Sequence, residues 1–254
     1  MLKLMKYEFR KNRTGLAIML CISVGLYLLA LVGRALDKGD LLAISVFLLF
    51  AYAFAAYVYV LVRGISAYSG ELRGRTGYLL MMVPRSTMSI LFGKLLFTLL
   101  FALAMLAISS IALMGATAIL LEEIYEVKGA LELLKFLMSQ SGFDPAMLAS
   151  TALFFGMAIL TSVLVVVAMG YLAVTLSATA LQSGKLRGLL SFLFFAALLA
   201  LTGYLQNLVT PEAELYGTYA EAIRSALPVL LADLALTCVY TVASAALLKR
   251  KVSL

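Results

Sequence analysis

LLAISVFLLFAYAFAAYVYVLV, residues 41–62, and the segment that follows it, RGISAYSGELRGRTGYLLMMVPRSTMSILFGK, residues 63–94, decide the fold. The first run is 22 residues long and carries no charge. A helix needs about 20 apolar residues to cross a hydrocarbon core roughly 30 Å thick, so this run reads as a membrane span. The second run is polar and basic, and a further apolar stretch, 95–121, begins where it stops. A short basic segment with a helix of its own is therefore expected between two spans.

Working outward, four more runs reach spanning length: approximately 14–33, 147–176, 189–209 and 226–248. Together they predict an all-α integral membrane protein of six transmembrane helices. No linker separates a second folded unit, so residues 1–254 read as one membrane domain. Composition agrees: 64% of residues are hydrophobic and 13% charged, about half the charged share of a soluble domain. That excludes a soluble enzyme. The net charge of +7 sits beside the apolar runs, where it orients spans and meets anionic headgroups rather than nucleic acid. Without any histidine, Ser-His-Asp chemistry, histidine-ligated zinc and histidine proton relays are all excluded. Cys21 and Cys238 fall inside spans and read as small buried apolar residues rather than a disulfide framework.

Lysine and arginine set the orientation. Residues 1–13 hold five (Lys3, Lys6, Arg10, Lys11, Arg13), the 63–94 segment five, 177–188 two (Lys185, Arg187) and the C-terminus three (Lys249, Arg250, Lys251). These four regions share one side, with fifteen basic residues against five on the other: Arg34, Lys38, Lys128, Lys135 and Arg224. The positive-inside rule then puts both termini in the cytoplasm. The first span exceeds the 7–15 residues of a signal core and reads as uncleaved.

MLKLMKYEFRKNR, residues 1–13, has Lys3, Lys6, Arg10 and Arg13 on one helical face and Leu2, Met5 and Phe9 on another. It reads as an amphipathic surface helix before span one, or as a basic topogenic tail. Across the membrane, Ala130, Leu133, Leu134 and Leu137 recur at helical spacing, as in a short helix that caps the bundle or shapes an exit. Asp144-Pro145 reads as a helix start. From Pro145 to Gln182 no charge interrupts the chain, about 57 Å of helix. Span four therefore either projects beyond the core or breaks, with Gly170 as the place to break. Thr210-Pro211-Glu212 begins a further short helix.

Inside the 63–94 segment, Gly70 and Gly74 interrupt the approach. A short helix of Tyr78, Leu79, Leu80, Met81, Met82 and Val83 follows Gly77, and Pro84 stops it. An apolar patch on the cytoplasmic surface calls for a partner, and the methionine pair suits a joint that repacks as the partner moves. A helix lying on lipid headgroups is the competing reading. The succession Glu71, Gly77, Tyr78-Leu79-Leu80, Pro84-Arg85-Ser86, Gly93-Lys94 resembles the type-2 ABC exporter permeases, as do the six spans, the basic N-terminal helix and the chain length. The resemblance covers most of the chain as layout, and its motif is short. The ending Val83-Pro84-Arg85-Ser86 departs from the commoner Leu-Pro-Val-Ser. The resemblance implies that Glu71 and Thr76 to Pro84 form a coupling helix seated in a cleft of a separate ATPase subunit. It implies further a dimer, with a second copy or a paralogue, served by two ATPase subunits that hold ATP and magnesium. This chain lacks a phosphate loop of its own: Ser183-Gly184-Lys185-Leu186 has neither the first glycine nor the final hydroxyl of GxxxxGK[ST].

For the path of a cargo, Asp233 is the one ionisable residue well inside a span, and such a residue is a functional candidate by default. Thr237, Tyr240 and Ser244 follow it at helical spacing, and span two carries a parallel stripe of Ser45, Tyr52 and Tyr59. Both stripes could face a substrate path or pair helix to helix. Ala196/Ala200 and Ala112/Ala116 are small-xxx-small spacings that read as packing.

The expectation is thus a permease subunit of an ATP-driven exporter in a bacterial inner membrane, moving an amphipathic or hydrophobic cargo such as a peptide, antibiotic or lipid. The chain is not itself an enzyme and holds no cofactor. An ATP-independent carrier or channel is the alternative; such proteins pair broken helices at mid-membrane, and no matched pair of interrupted spans stands out. An intramembrane aspartyl enzyme needs two facing aspartates, and the spans supply one.

Overall fold

The computed structural model describes residues 2–73, 87–125, 145–180, 186–210 and 219–252. They form six helices: α1 (Leu2–Ala35), α2 (Gly39–Arg73), α3 (Thr87–Ile124), α4 (Pro145–Ala180), α5 (Arg187–Val209) and α6 (Tyr219–Val252). Each holds a stretch long and apolar enough to cross a membrane, so the chain is a multi-pass membrane protein, helical throughout these elements. Pro145 is the first residue of α4, where its missing N–H costs no hydrogen bond. Thr210 ends α5 in extended geometry, as expected of a residue before proline.

Described residues divide into two units. The first comprises Tyr7–Val60 with Phe101–Gly156. The second comprises the described parts of Met1–Lys6, Leu61–Leu100 and Met157–Leu254.

In the first unit, α1 and α2 form a tight hairpin. Asp37 takes a left-handed backbone, φ 49°. Its N–H bonds Arg34 O at 3.2 Å while Lys38 N–H bonds Gly33 O at 3.0 Å, closing a Schellman motif. The hairpin is close enough that a Cβ added at Gly33 would stand 3.0 Å from the Leu42 backbone nitrogen. Ala30, Leu42, Val46, Leu49, Ala112, Ala116 and Ile119 form the core against which Tyr27 and Leu120 pack. Ala112/Ala116 is thus a real packing surface, whereas Ala196 and Ala200 are exposed. Arg34 pairs with Glu122 at 2.9 Å.

In the second unit, α4 is covered nearly all round between Val163 and Ala178, which suits a helix with no polar face. It runs unbroken through Gly170. That glycine accommodates Ile65 of α2, whose Cγ1 would lie 2.6 Å from an added Cβ. Packing, not a break, is its role, and span four is simply longer than a core is thick.

Several expectations need correcting. Residues 63–73 are the end of α2, and 87–94 the start of α3, so Gly70 interrupts nothing. Tertiary contacts hold α2 helical there: the Tyr68 hydroxyl shares a 2.7 Å hydrogen bond with Thr175 Oγ1, and its ring lies 4.6 Å from that of Tyr171. Residues 2–13 and the first span are one uninterrupted helix. Lys94 does not face solvent or headgroups; it is 2% exposed inside the second unit. Cys21 and Cys238, expected to be buried, are exposed and unbridged on faces that this chain leaves uncovered. The helix expected from Ala130 to Leu137, Asp144, and Pro211-Glu212 lie outside the described residues.

Candidate functional site

The polar stripe of α6 is built into a seam with α5 in the second unit. Asp233, 4% exposed, accepts a hydrogen bond at 2.6 Å from Gln206 Nε2 of α5. Its backbone carbonyl accepts the Thr237 hydroxyl at 2.7 Å, and Thr241 does the same to Thr237 O at 2.6 Å. Near the other end of the stripe, Ser244 donates to Tyr240 O at 2.7 Å. Tyr240 and Thr202 of α5 share a hydroxyl–hydroxyl bond of 2.8 Å. Thr202 also reaches Leu198 O at 2.8 Å. A hydroxyl has one proton, so when Thr202 gives it to Leu198 O, Tyr240 is the donor of the shared bond.

The spacing explains the register. Thr202 and Gln206 are four residues apart on α5, so they share a face. Asp233, Thr237, Tyr240 and Ser244 do likewise on α6. Two polar faces in an apolar surrounding pair with each other because an unpaired donor or acceptor there is costly. The arrangement is one that binds helix to helix. A carboxylate held by an amide could also receive a donor from a passing molecule at its second oxygen.

The span-two stripe belongs to the first unit and makes its own set of interactions. Ser45, fully buried, donates to Leu42 O at 2.7 Å. Tyr52 donates to Met19 O of α1 at 2.9 Å, and Ser23 of α1 also hydrogen-bonds its side chain. Tyr59 sets its ring 6.1 Å from that of Phe101, with its hydroxyl over Gly15. The two stripes therefore belong to different units, each tied to its own neighbours.

Of the expected coupling residues, Glu71 lies in the last turn of α2. Thr76, Gly77, Tyr78, Leu79, Leu80, Met81, Met82, Val83 and Pro84 lie outside the described residues. Gln206 and Thr202, the partners of the α6 stripe, escaped the sequence reading, although their i, i+4 spacing within span five was the signal. The burial of two charged residues escaped it too: that of Lys94, and that of Glu8, which is 2% exposed and whose backbone carbonyl accepts the Asn12 side chain at 3.1 Å. Among the described residues no three His, Cys, Asp or Glu side chains gather as a metal site. Comparison with protein-family models, with curated proteins and with solved structures returns no match for this chain.

Proposed function

We propose that this chain is the membrane-spanning permease subunit of an ATP-driven exporter in a bacterial cytoplasmic membrane, with both termini in the cytoplasm. In this reading it works as a dimer with two ATPase subunits, and Thr76 to Pro84 is the handle they hold. The observation that carries the proposal is the pair of helices flanking that segment. α2 continues to Arg73 and α3 starts at Thr87, so each runs without interruption from the segment into the apolar body. A displacement imposed on residues between them would pass along two helices that are hydrogen-bonded throughout and packed at Tyr68, Ile65 and Lys94. Binding of ATP draws the ATPases together, the handles follow, and the spans open a path outward for an amphipathic or hydrophobic cargo.

The test is co-purification with an ATPase encoded beside this chain. Leu79→Asp with Leu80→Asp, or Gly77→Pro, is expected to abolish the complex while leaving the permease folded. Complex formation and ATP turnover at the unmodified level in these variants would overturn the coupling assignment.

A further inference from the structure

Within the second unit, α2, α4 and α5 line an open cavity of about 340 Å³. This is at the small end of the range for ligand sites, enough for part of one lipid chain and too small for a folded peptide. Its walls are apolar, with Ile65, Phe192 and Phe195 among them, and three hydroxyls line it: Ser66, Ser69 and Ser191. Ser66 donates to Arg63 O at 3.2 Å. Ser69 and Ser191 make no hydrogen bond among the described residues, and Ser191 is only 9% exposed. That sets them apart, because other helical hydroxyls here, such as Ser45, Ser109, Thr117, Ser177 and Ser244, return their proton to a carbonyl three or four residues back. Ser69 is half-buried and the Ser191 side chain nearly buried, and an occupant that accepts from them would add hydrogen bonds that the neighbouring helices do not supply.

Position along the helices specifies the occupant. Ser69 lies one residue from the end of the apolar stretch of α2 at Gly70, and Ser191 lies three residues from the start of that of α5 at Gly188. Ile65 and Phe195 are each four residues deeper, about 6 Å along the helix. Ser69 and Ser191 therefore lie toward the ends of these apolar stretches, with Ile65 and Phe195 further in. A diacyl phospholipid has this order: an ester carbonyl, which only accepts hydrogen bonds, and then a hydrocarbon chain.

We propose that the cavity seats one acyl chain of a bilayer phospholipid, with its ester carbonyl accepting from Ser69 and Ser191. The site stands apart from the transport reading, since it needs neither a cargo nor an ATPase.

The experiment compares a diester phosphatidylcholine with its dialkyl-ether analogue, each added to delipidated full-length protein in detergent, with bound lipid counted by native mass spectrometry. One diester molecule is expected to bind, and the ether analogue at least about fivefold more weakly, since one net hydrogen bond corresponds to roughly that factor. Ser69→Ala with Ser191→Ala should bring diester binding down to the ether level without changing the ether. Gly188→Leu, at the cavity wall, should weaken both. Equal affinity for the two lipids, diester binding unchanged in the alanine pair, or binding of both lipids undiminished in Gly188→Leu would each overturn the proposal. So would absence of lipid binding by the unmodified protein, as when water or cargo alone occupies the cavity.

Discussion

Replacing Asp233 and Gln206 by alanine, singly and together, asks how much the α5–α6 seam contributes. The Gln206 amide meets the carboxylate at 2.6 Å, and Asp233 is 4% exposed. Hydrogen bonds between membrane helices average about 0.6 kcal/mol by double-mutant cycle and reach about 1.7. A short, buried bond to a carboxylate belongs near the top of that range, so a coupling of about 1–1.7 kcal/mol is expected. Each single variant should lose more than this, because it leaves the partner group unsatisfied at about 1–3 kcal/mol. The double variant should then lose less than the sum. Tyr240→Phe with Thr202→Val, a neutral pair, should show a smaller coupling of about 0.6 kcal/mol. The assay is equilibrium unfolding in mixed micelles of mild detergent and dodecyl sulfate. Additive losses, with coupling within about 0.3 kcal/mol of zero, would refute the seam as a source of stability, as would a coupling smaller than that of the neutral pair.

Asp233→Asn keeps an oxygen for Gln206 and should unfold within about 1 kcal/mol of the unmodified protein; if the carboxylate also serves the proposed path, export falls while assembly holds, and unmodified export would leave packing as its role. Gly170→Ala sets an overpacking cost of about 1–3 kcal/mol against a helix-propensity gain of about 1, because the new methyl meets Ile65. A net loss is expected in the same unfolding assay, and it should vanish when Ile65→Ala is already present; a stabilised single variant would contradict the packing. Gly33→Ala drives a methyl toward the Leu42 backbone and should lower Tm, whereas Gly25→Ala, with open space around it, should not. Equal effects at the two sites would refute the tight α1–α2 hairpin.

The number of spans was legible in the sequence because a charge-free run of spanning length has one stable destination, and hydropathy alone decides it. The stripe on α6 was legible for a similar reason: helical spacing puts Asp233, Thr237, Tyr240 and Ser244 on one face whatever lies opposite. What lies opposite was not. Thr202 lies 38 residues from Tyr240 and Gln206 27 residues from Asp233 in sequence, and folding alone brought them within hydrogen-bond reach. The end of α2 and the start of α3 were hidden too: a polar composition near Tyr68 and Lys94 argues for a loop, yet Tyr68 packs on Thr175 and Tyr171, and Lys94 is buried. Gly170 shows the same limit: as a letter it marks a break, and as a packed residue it is the space that Ile65 fills. Membrane burial is a local property of each run of residues, so the chain by itself determined it. Partnership between faces depends on which helices end up adjacent, and only the tertiary structure decided that.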